Sequence, residues 1–287
     1  MRQARILDEV RRTGGARVAH LTALLGVSDM TVRRDLEALD RKGLLSKVHG
    51  GATAMDTASA IEPGFEVTSQ REVSEKEAIA ARAAQLVKPG MAIAITAGST
   101  TWTLARHLGE IANLTVVTNS LKVAEVLNAR QRPDLTVVLT GGLRTPSDGL
   151  VGPVAVQAIR SLHVDMVIMG VHGIDERAGL TTPNLLEAET NRALVESARR
   201  LVVVADHTKW GVVGLAQIAP LRAVTTLLTD DRLPPGAAEV LADQVSEVII
   251  IPTGTDEEPS DDAPVQATAG TAGRAGGPGR AATGSGR

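Results

Sequence analysis

The 287-residue chain has no cysteine and no tyrosine, and its only aromatics are Phe65, Trp102 and Trp210. Without cysteine there are no disulfides, no thiolate metal site and no cysteine nucleophile. With three aromatics there is no platform on which to stack unpaired bases, which argues against single-strand recognition. No run of 18 apolar residues occurs, so nothing is expected to span a membrane. The charged first twenty residues, with Arg2, Arg5, Asp8, Glu9, Arg11 and Arg12, leave no room for an apolar signal core. A cytoplasmic protein is expected. No two histidines are spaced i, i+4 and no carboxylates cluster at ligand spacing, so neither a metal nor a cofactor is expected.

What is present is unevenly distributed. Residues 1–52 hold ten Lys/Arg against six Asp/Glu, whereas the remainder is acidic, and the whole has a net charge of −3. A short basic head on an acidic body points to a polyanion that meets the head alone. The residues divide into a head over 1–52, a linker over 53–73 rich in small residues, a body over 74–251 and a tail over 252–287. The tail carries 8 Gly, 7 Ala and 4 Pro with Val265 as its one large apolar side chain. It is expected to be disordered, because it cannot offset its ordering entropy by burial. Within it, 277–282 formally matches a dinucleotide fingerprint, but no strand precedes the match.

Three helical patterns fill 1–42. Ile6, Leu7 and Val10 form one stripe, and Gly14-Gly15 ends it. Val18, Leu21, Leu24 and Leu25 form a second, stopped by Gly26. Ser28 stands as N-cap of a third helix over 29–42, free to accept from the amide of Met30 or Thr31. Val32, Leu36 and Leu39 give that helix its buried face. Met30, Arg33, Arg34, Glu37 and Arg41 give it a mostly basic outer face after a three-residue turn. That is the layout of a recognition helix entering a major groove. The glycine-bounded alternation of 43–51 predicts a two-stranded wing whose Lys47 and His49 reach phosphates. The competing reading is a plain three-helix bundle with a solvated basic face. The cap, the short turn and the wing together favour DNA. The DNA-binding set is Ser28, Met30, Thr31, Arg33, Arg34, Lys47 and His49.

The run Val27-Ser28-Asp29-Met30-Thr31-Val32-Arg33-Arg34-Asp35-Leu36, continuing to Val48-His49-Gly50-Gly51-Ala52, resembles the signature of the DeoR family of bacterial sugar-catabolism regulators.

In the body, strand-like runs at 91–96, 114–118, 135–139, 165–169, 201–205, 225–229 and 246–251 alternate with helical patterns, and Ser74–Glu77 reads as a capping box. This rhythm predicts an α/β fold, a doubly wound and largely parallel sheet with ligands at its carboxyl edge. After the first strand, Gly98-Ser99-Thr100-Thr101 offers backbone access, hydroxyls and helix-terminal amides to an anion, though without the spacing of a P-loop. Thr118-Asn119-Ser120, Gly141-Gly142, Gly170-Val171-His172-Gly173 and Asp206–Gly211 follow later strands. One small polar anion explains so many polar turns better than unrelated loops do. Trp102 and Trp210 are expected to fill core.

These residues also extend the resemblance. DeoR-type regulators carry a C-terminal sensor domain related to ribose-5-phosphate isomerase and glucosamine-6-phosphate deaminase. The landmarks 98–101, 118–120, 141–142, 170–174 and 206–211 are similar to theirs in order. The chain departs from the family pattern at Thr96, Ser99, His172 and Asn191. By this resemblance a phosphorylated sugar binds at Gly98, Ser99, Thr100, Thr101, Asn119, Gly142, His172, Glu187 and Lys209, and the protein is a homo-oligomeric repressor of operator DNA. The alternative is a sugar-phosphate isomerase or deaminase fused to a DNA-binding head. In deaminases a Gly-x-Asp-Gly-His segment moves the proton; here Ile174 falls where the histidine is expected, so no enzyme is expected.

Overall fold

The computed structural model describes residues 2–13, 15–41, 44–48, 50–53 and 64–253. His49, residues 54–63 of the expected linker, and the tail from 254 onward lie outside the described residues.

The head contains α1 (Arg2–Thr13), β1 (Gly15–Arg17), α2 (Val18–Leu25), α3 (Asp29–Arg41), β2 (Ser46–Val48) and β3 (Gly51–Thr53). Ile6, Val10, Leu21, Val32, Leu36, Leu39 and Leu45 close its core. Gly26 ends α2 at φ 66°, its amide returning to the Thr22 carbonyl. The wing differs from the two-stranded expectation: β3 lies between β2 and β1, so the sheet has three strands. The first helix ends at Thr13, where the glycine pair was read as its stop, and β1, which was not expected, begins at Gly15. Gly51 is required there, because a Cβ would sit 2.3 Å from the Ala16 carbonyl oxygen. Thr53, assigned to the linker, pairs with both Gly15 and Ser46.

The linker assignment also gives way at its other end, where α4 (Phe65–Ser69) forms and α5 (Val73–Ala84) begins. The capping box is not used. Glu72 occupies the cap position at φ 44°, Ser74 donates to Glu75, and Glu77 turns outward to Arg106 and His107.

The body continues with β4 (Ala92–Ile95), α6 (Ser99–His107), β5 (Leu114–Thr118), α7 (Leu121–Asn128), β6 (Leu135–Leu139), β7 (Leu143–Arg144), β8 (Leu150–Val151), α8 (Pro153–Arg160) and β9 (Met166–Gly170). It ends with β10 (Gly173–Asp175), β11 (Gly179–Thr182), α9 (Leu185–Ser197), β12 (Leu201–Val204), β13 (Ala216–Ala219), β14 (Thr226–Asp230), α10 (Ala237–Gln244) and β15 (Glu247–Ile251). The seven predicted strands make one sheet in the order β15-β14-β12-β9-β4-β5-β6, every pair parallel. Alternate side chains enter opposite cores. Ile93 and Ile95 join Ile79, Leu104 and Val123 from α5, α6 and α7, while Ala94, Val167 and Val203 join Ile159, Leu194 and Leu241 from α8, α9 and α10. Helices on both faces make the sheet doubly wound. Outside it lie an antiparallel sheet, β10-β11-β13, and a β7–β8 hairpin. Their strands have two to four residues and give no alternation long enough to read.

Candidate functional sites

In the head, Ser28 caps α3 as expected: the Thr31 amide donates to Ser28 Oγ at 3.3 Å, and the two hydroxyls lie 2.9 Å apart. Beyond this cap Met30, Arg33 and Arg34 are exposed, Met30 at 64 %. Thr31 is half-buried. The face carries its own counterions. Arg33 Nε donates to Asp29 at 3.0 Å, and Lys47 Nζ from the wing donates to Glu37 on α3 at 2.6 Å. The Lys47 amide donates to Asp40, so the wing is braced on the helix through main chain and side chain. Inside the head, the buried Asp35 receives Arg2 and Gln3, and the Arg2 guanidinium holds its carboxyl below the usual range against the pull of burial. That acid is a fastening between α1 and α3, not a groove residue.

In the body, the chain runs from the central β4 outward through β5 and β6, then restarts at β9 on the other side of β4. The crevice between β4 and β9 at the carboxyl edge is the topological switch point, where ligands of such sheets sit. Five of the expected loops leave that edge from five adjacent strands: Gly142 after β6, Asn119 after β5, Gly98–Thr101 after β4, His172 after β9 and Lys209 after β12.

At the centre, Gly98 precedes α6 with φ 149° and no side chain caps the helix. Thr101 Oγ1 donates to the Gly98 carbonyl at 2.9 Å and Thr103 Oγ1 to that of Ser99 at 3.0 Å, tightening the first turn. The first amides of α6 are thus left without a side-chain cap at the carboxyl edge of β4. Gly170 lines the other wall, its absent Cβ only 3.7 Å from Thr101 Cγ2.

Asn119 has a different part from the one expected. It is 1 % exposed; its Oδ1 accepts from the Ala97 amide and its Nδ2 donates to Leu150, so it holds the central loop against β8. Thr96 accepts from the Gly170 amide at 3.1 Å, tying the two walls of the crevice. Gly142, at φ 124°, allows the turn after β6 to pass close to Val151. Glu187 stands in the first turn of α9 and accepts from Thr182 at 2.7 Å. Asn191, one turn further along α9, is 1 % exposed and its Oδ1 has no hydrogen-bond partner.

A group missed by the sequence reading is Lys76, which looked like part of a cap. It is 4 % exposed, and its ammonium donates to the carbonyls of Thr68 (2.7 Å) and Arg71 (2.5 Å). Burial pulls its pKa down to about 8; the charge of Asp206 opposes this and that of Lys209 adds to it. Burial would raise the Asp206 carboxyl, but Lys209, the Thr208 hydroxyl and Lys76 hold it below its ordinary value. Lys76 and Asp206 are thus buried, and each feels the charge of the other and of the half-buried Lys209. The only signal of this in the sequence is a lysine among the inward positions of α5.

Among the described residues no three His, Asp or Glu side chains are grouped to hold a metal ion, and no helix is long and apolar enough to cross a membrane.

A capped basic helix with a braced wing, followed by a doubly wound sheet, defines a DNA-binding regulator with an α/β domain. Residues 2–58 match the DeoR-like helix-turn-helix domain and residues 71–231 the DeoR C terminal sensor domain. The transcriptional regulator GolR of Listeria innocua is 36 % identical over 81 % of this chain and 91 % of its own. The glycerol-3-phosphate regulon repressor of Escherichia coli K12 is 31 % identical over 83 % and 93 %. Ribose 5-phosphate isomerase A of Methanocaldococcus jannaschii, 20 % identical, superposes over 47 % of this chain and 53 % of its own with a TM-score of 0.34, too slight a likeness to carry an argument. The chain belongs to the DeoR family of transcriptional regulators.

Proposed function

We propose that the protein represses a carbohydrate-catabolism operon and releases its operator when a phosphorylated sugar enters the crevice between β4 and β9. The uncapped N-terminus of α6 at the switch point carries this reading: backbone amides and hydroxyls meet the phosphate, and Lys209, from the loop after β12 at the same edge, supplies positive charge. His172, Glu187 and Gly142 border the sugar, and Asn119 keeps the loop in shape. In the head, Met30, Thr31, Arg33 and Arg34 read base edges from the capped start of α3, and Lys47 and His49 hold the backbone. A homodimer would set two such helices about 34–36 Å apart, one turn of DNA. The name of the Escherichia coli relative, a repressor of the glycerol-3-phosphate regulon, supports the repressor sense. We read the body as a sensor and not as an isomerase or deaminase. Ile174, 4 % exposed within β10, supports this, since it stands where a proton-moving side chain would be needed.

The test is thermal unfolding of the full chain with a panel of sugar phosphates and their unphosphorylated forms. A ligand at about 100 times its Kd adds about 2.7 kcal/mol to native stability. One phosphorylated compound that raises Tm selectively names the effector. Equal shifts with and without the phosphate group would overturn the anion reading of the α6 turn.

A further inference from the structure

The large sheet of the body has two unlike margins. β15 carries the exposed Glu247, a charge of the kind that blunts a strand edge against pairing with other chains. β6 has no such protection. Its residues, Leu135-Thr136-Val137-Val138-Leu139, include neither charge nor proline, and it pairs on one side only, with β5. Leu135 and Val137 pack on the core shared with α5, α6 and α7, whereas Thr136 and Val138 point to the opposite face and are exposed.

The apolar surface continues past the strand. Leu139 is exposed at its end, Leu143 in β7 is 62 % exposed, and Val154 in the first turn of α8 is 64 % exposed. They are neighbours in space: a Cβ on Gly141 would lie 3.6 Å from Val154, and one on Gly152 would lie 3.8 Å from Leu143. Val138, Leu139, Leu143 and Val154 therefore form one patch from the sheet margin to the start of α8. At their exposures the four present on the order of 400 Å² of surface; with interfaces about 57 % apolar this scales to about 700 Å² per partner, near the roughly 800 Å² of a standard interface.

From this margin we propose that β6 and the patch beside it form the surface on which a second copy of this chain docks, the two β6 strands pairing antiparallel across a two-fold axis. A strand laid against its own copy in this way is self-complementary: wherever residue i meets j, j also meets i. Overlap along the whole strand puts the axis at Val137, so Val138 of one copy faces Thr136 of the partner subunit and the two sheets become one. Leu143 and Val154 flank the seam. The inference rests on the dimer of the proposed reading and not on the effector crevice.

The test is sedimentation equilibrium of the full chain, without DNA or sugar phosphate. The parent should be dimeric at micromolar concentration. Val138→Glu with Leu143→Glu should weaken the dimer by about a hundredfold or more, since each charge enters the interface twice. Leu215→Glu places the same charge at another exposed leucine, just before β13, and should leave the dimer within about twofold of the parent. A monomeric parent, a dimer that survives both charges, or a dimer broken by Leu215→Glu overturns the proposal. The chain has no cysteine, so a second measurement is free of background. Facing residues of an antiparallel pair lie within disulfide reach. Thr136→Cys and Val138→Cys chains, co-expressed and oxidised with diamide, should give a linked dimer on a non-reducing gel, and far less when either is expressed alone. No linked product from the pair overturns the strand pairing. A parent that binds DNA yet stays monomeric ends this proposal and leaves the crevice reading standing.

Discussion

The head and the body present their ligands with opposite kinds of surface. In the head the working groups are long exposed side chains on one helix, and the backbone behind them is fully used in helix and wing. In the body the groups proposed to meet the effector are main-chain amides and short hydroxyls, with Ser99 8 %, Thr100 6 % and Thr101 0 % exposed. A duplex is large and stays outside, so reading it needs reach. A small anion is enclosed, so holding it needs a pre-set concavity with little side-chain entropy to lose. One consequence is that side-chain substitutions should dominate in the head and backbone-directed ones in the body.

The largest expected effect tests the head's side of that contrast. Arg33→Ala with Arg34→Ala should weaken DNA binding at least about a hundredfold, measured by fluorescence anisotropy, with the ligand-induced Tm shift unchanged. Operator affinity that survives the double change removes α3 from the groove. Next come the glycines, where the two regions should behave alike. Gly51→Ala would press a Cβ to 2.3 Å from Ala16 O, and Gly142→Ala one to 2.6 Å from Val151 O at φ 124°. Each should cost about 1–3 kcal/mol, read by hydrogen exchange as opening of the wing for the first and of the turn after β6 for the second. Exchange rates unchanged in both would mean that those turns yield freely.

A smaller effect separates the regions by pH. Burial lowers the His207 pKa, but the Asp230 carboxylate, 2.9 Å from Nδ1, outweighs it and the net shift is upward. Stability from that shift is complete below the unfolded value near 6.5 and is lost as pH rises through the folded one. Asp230 is shifted down against the upward pull of burial, so its share is lost as pH falls through its own folded value. Melting of the body should therefore decline as pH climbs above about 6.5, and His207→Gln should flatten that decline. A parent profile already flat across that range would dismiss the pair. The smallest effect is Glu37→Gln, which frees Lys47 and removes a negative charge beside the phosphates. DNA affinity should rise by about two- to fivefold with a steeper salt dependence. A fall in affinity would show instead that bracing the wing matters more than the charge.

How legible each region was in the sequence follows the same division. Ser28, Gly26 and the Val32-Leu36-Leu39 stripe behave as read, because capping and helical spacing are local properties. The seven parallel strands were readable because each is a short apolar run, fully buried in the inner strands and half-exposed in the marginal β6 and β15. What escaped depends on distant partners. β1 exists only because β3 pairs with it, and Gly15 offers no pattern of its own. The Ser74–Glu77 box satisfied the local rule, yet Glu77 is drawn outward by Arg106 and His107, about thirty positions away. Asn119 was expected to contact the effector, and its commitment to Ala97 and Leu150 is a tertiary fact that no local pattern shows. Lys76 and α4 were hidden for the same reason: nothing in the order of residues announces that two backbone carbonyls will take a buried ammonium.

The strand order also has a consequence for synthesis. β4, the first strand of the large sheet to be made, lies within it; β5 joins β4, β6 joins β5, β9 returns to β4, and β12, β14 and β15 follow outward. Every strand thus meets a neighbour that has already left the ribosome, and no place in the sheet waits for a later segment. A chain cut short from its C-terminal end would lose β15, β14, β12 and β9 from one margin inward and then β6 from the other, leaving β4 and β5 as the last pair.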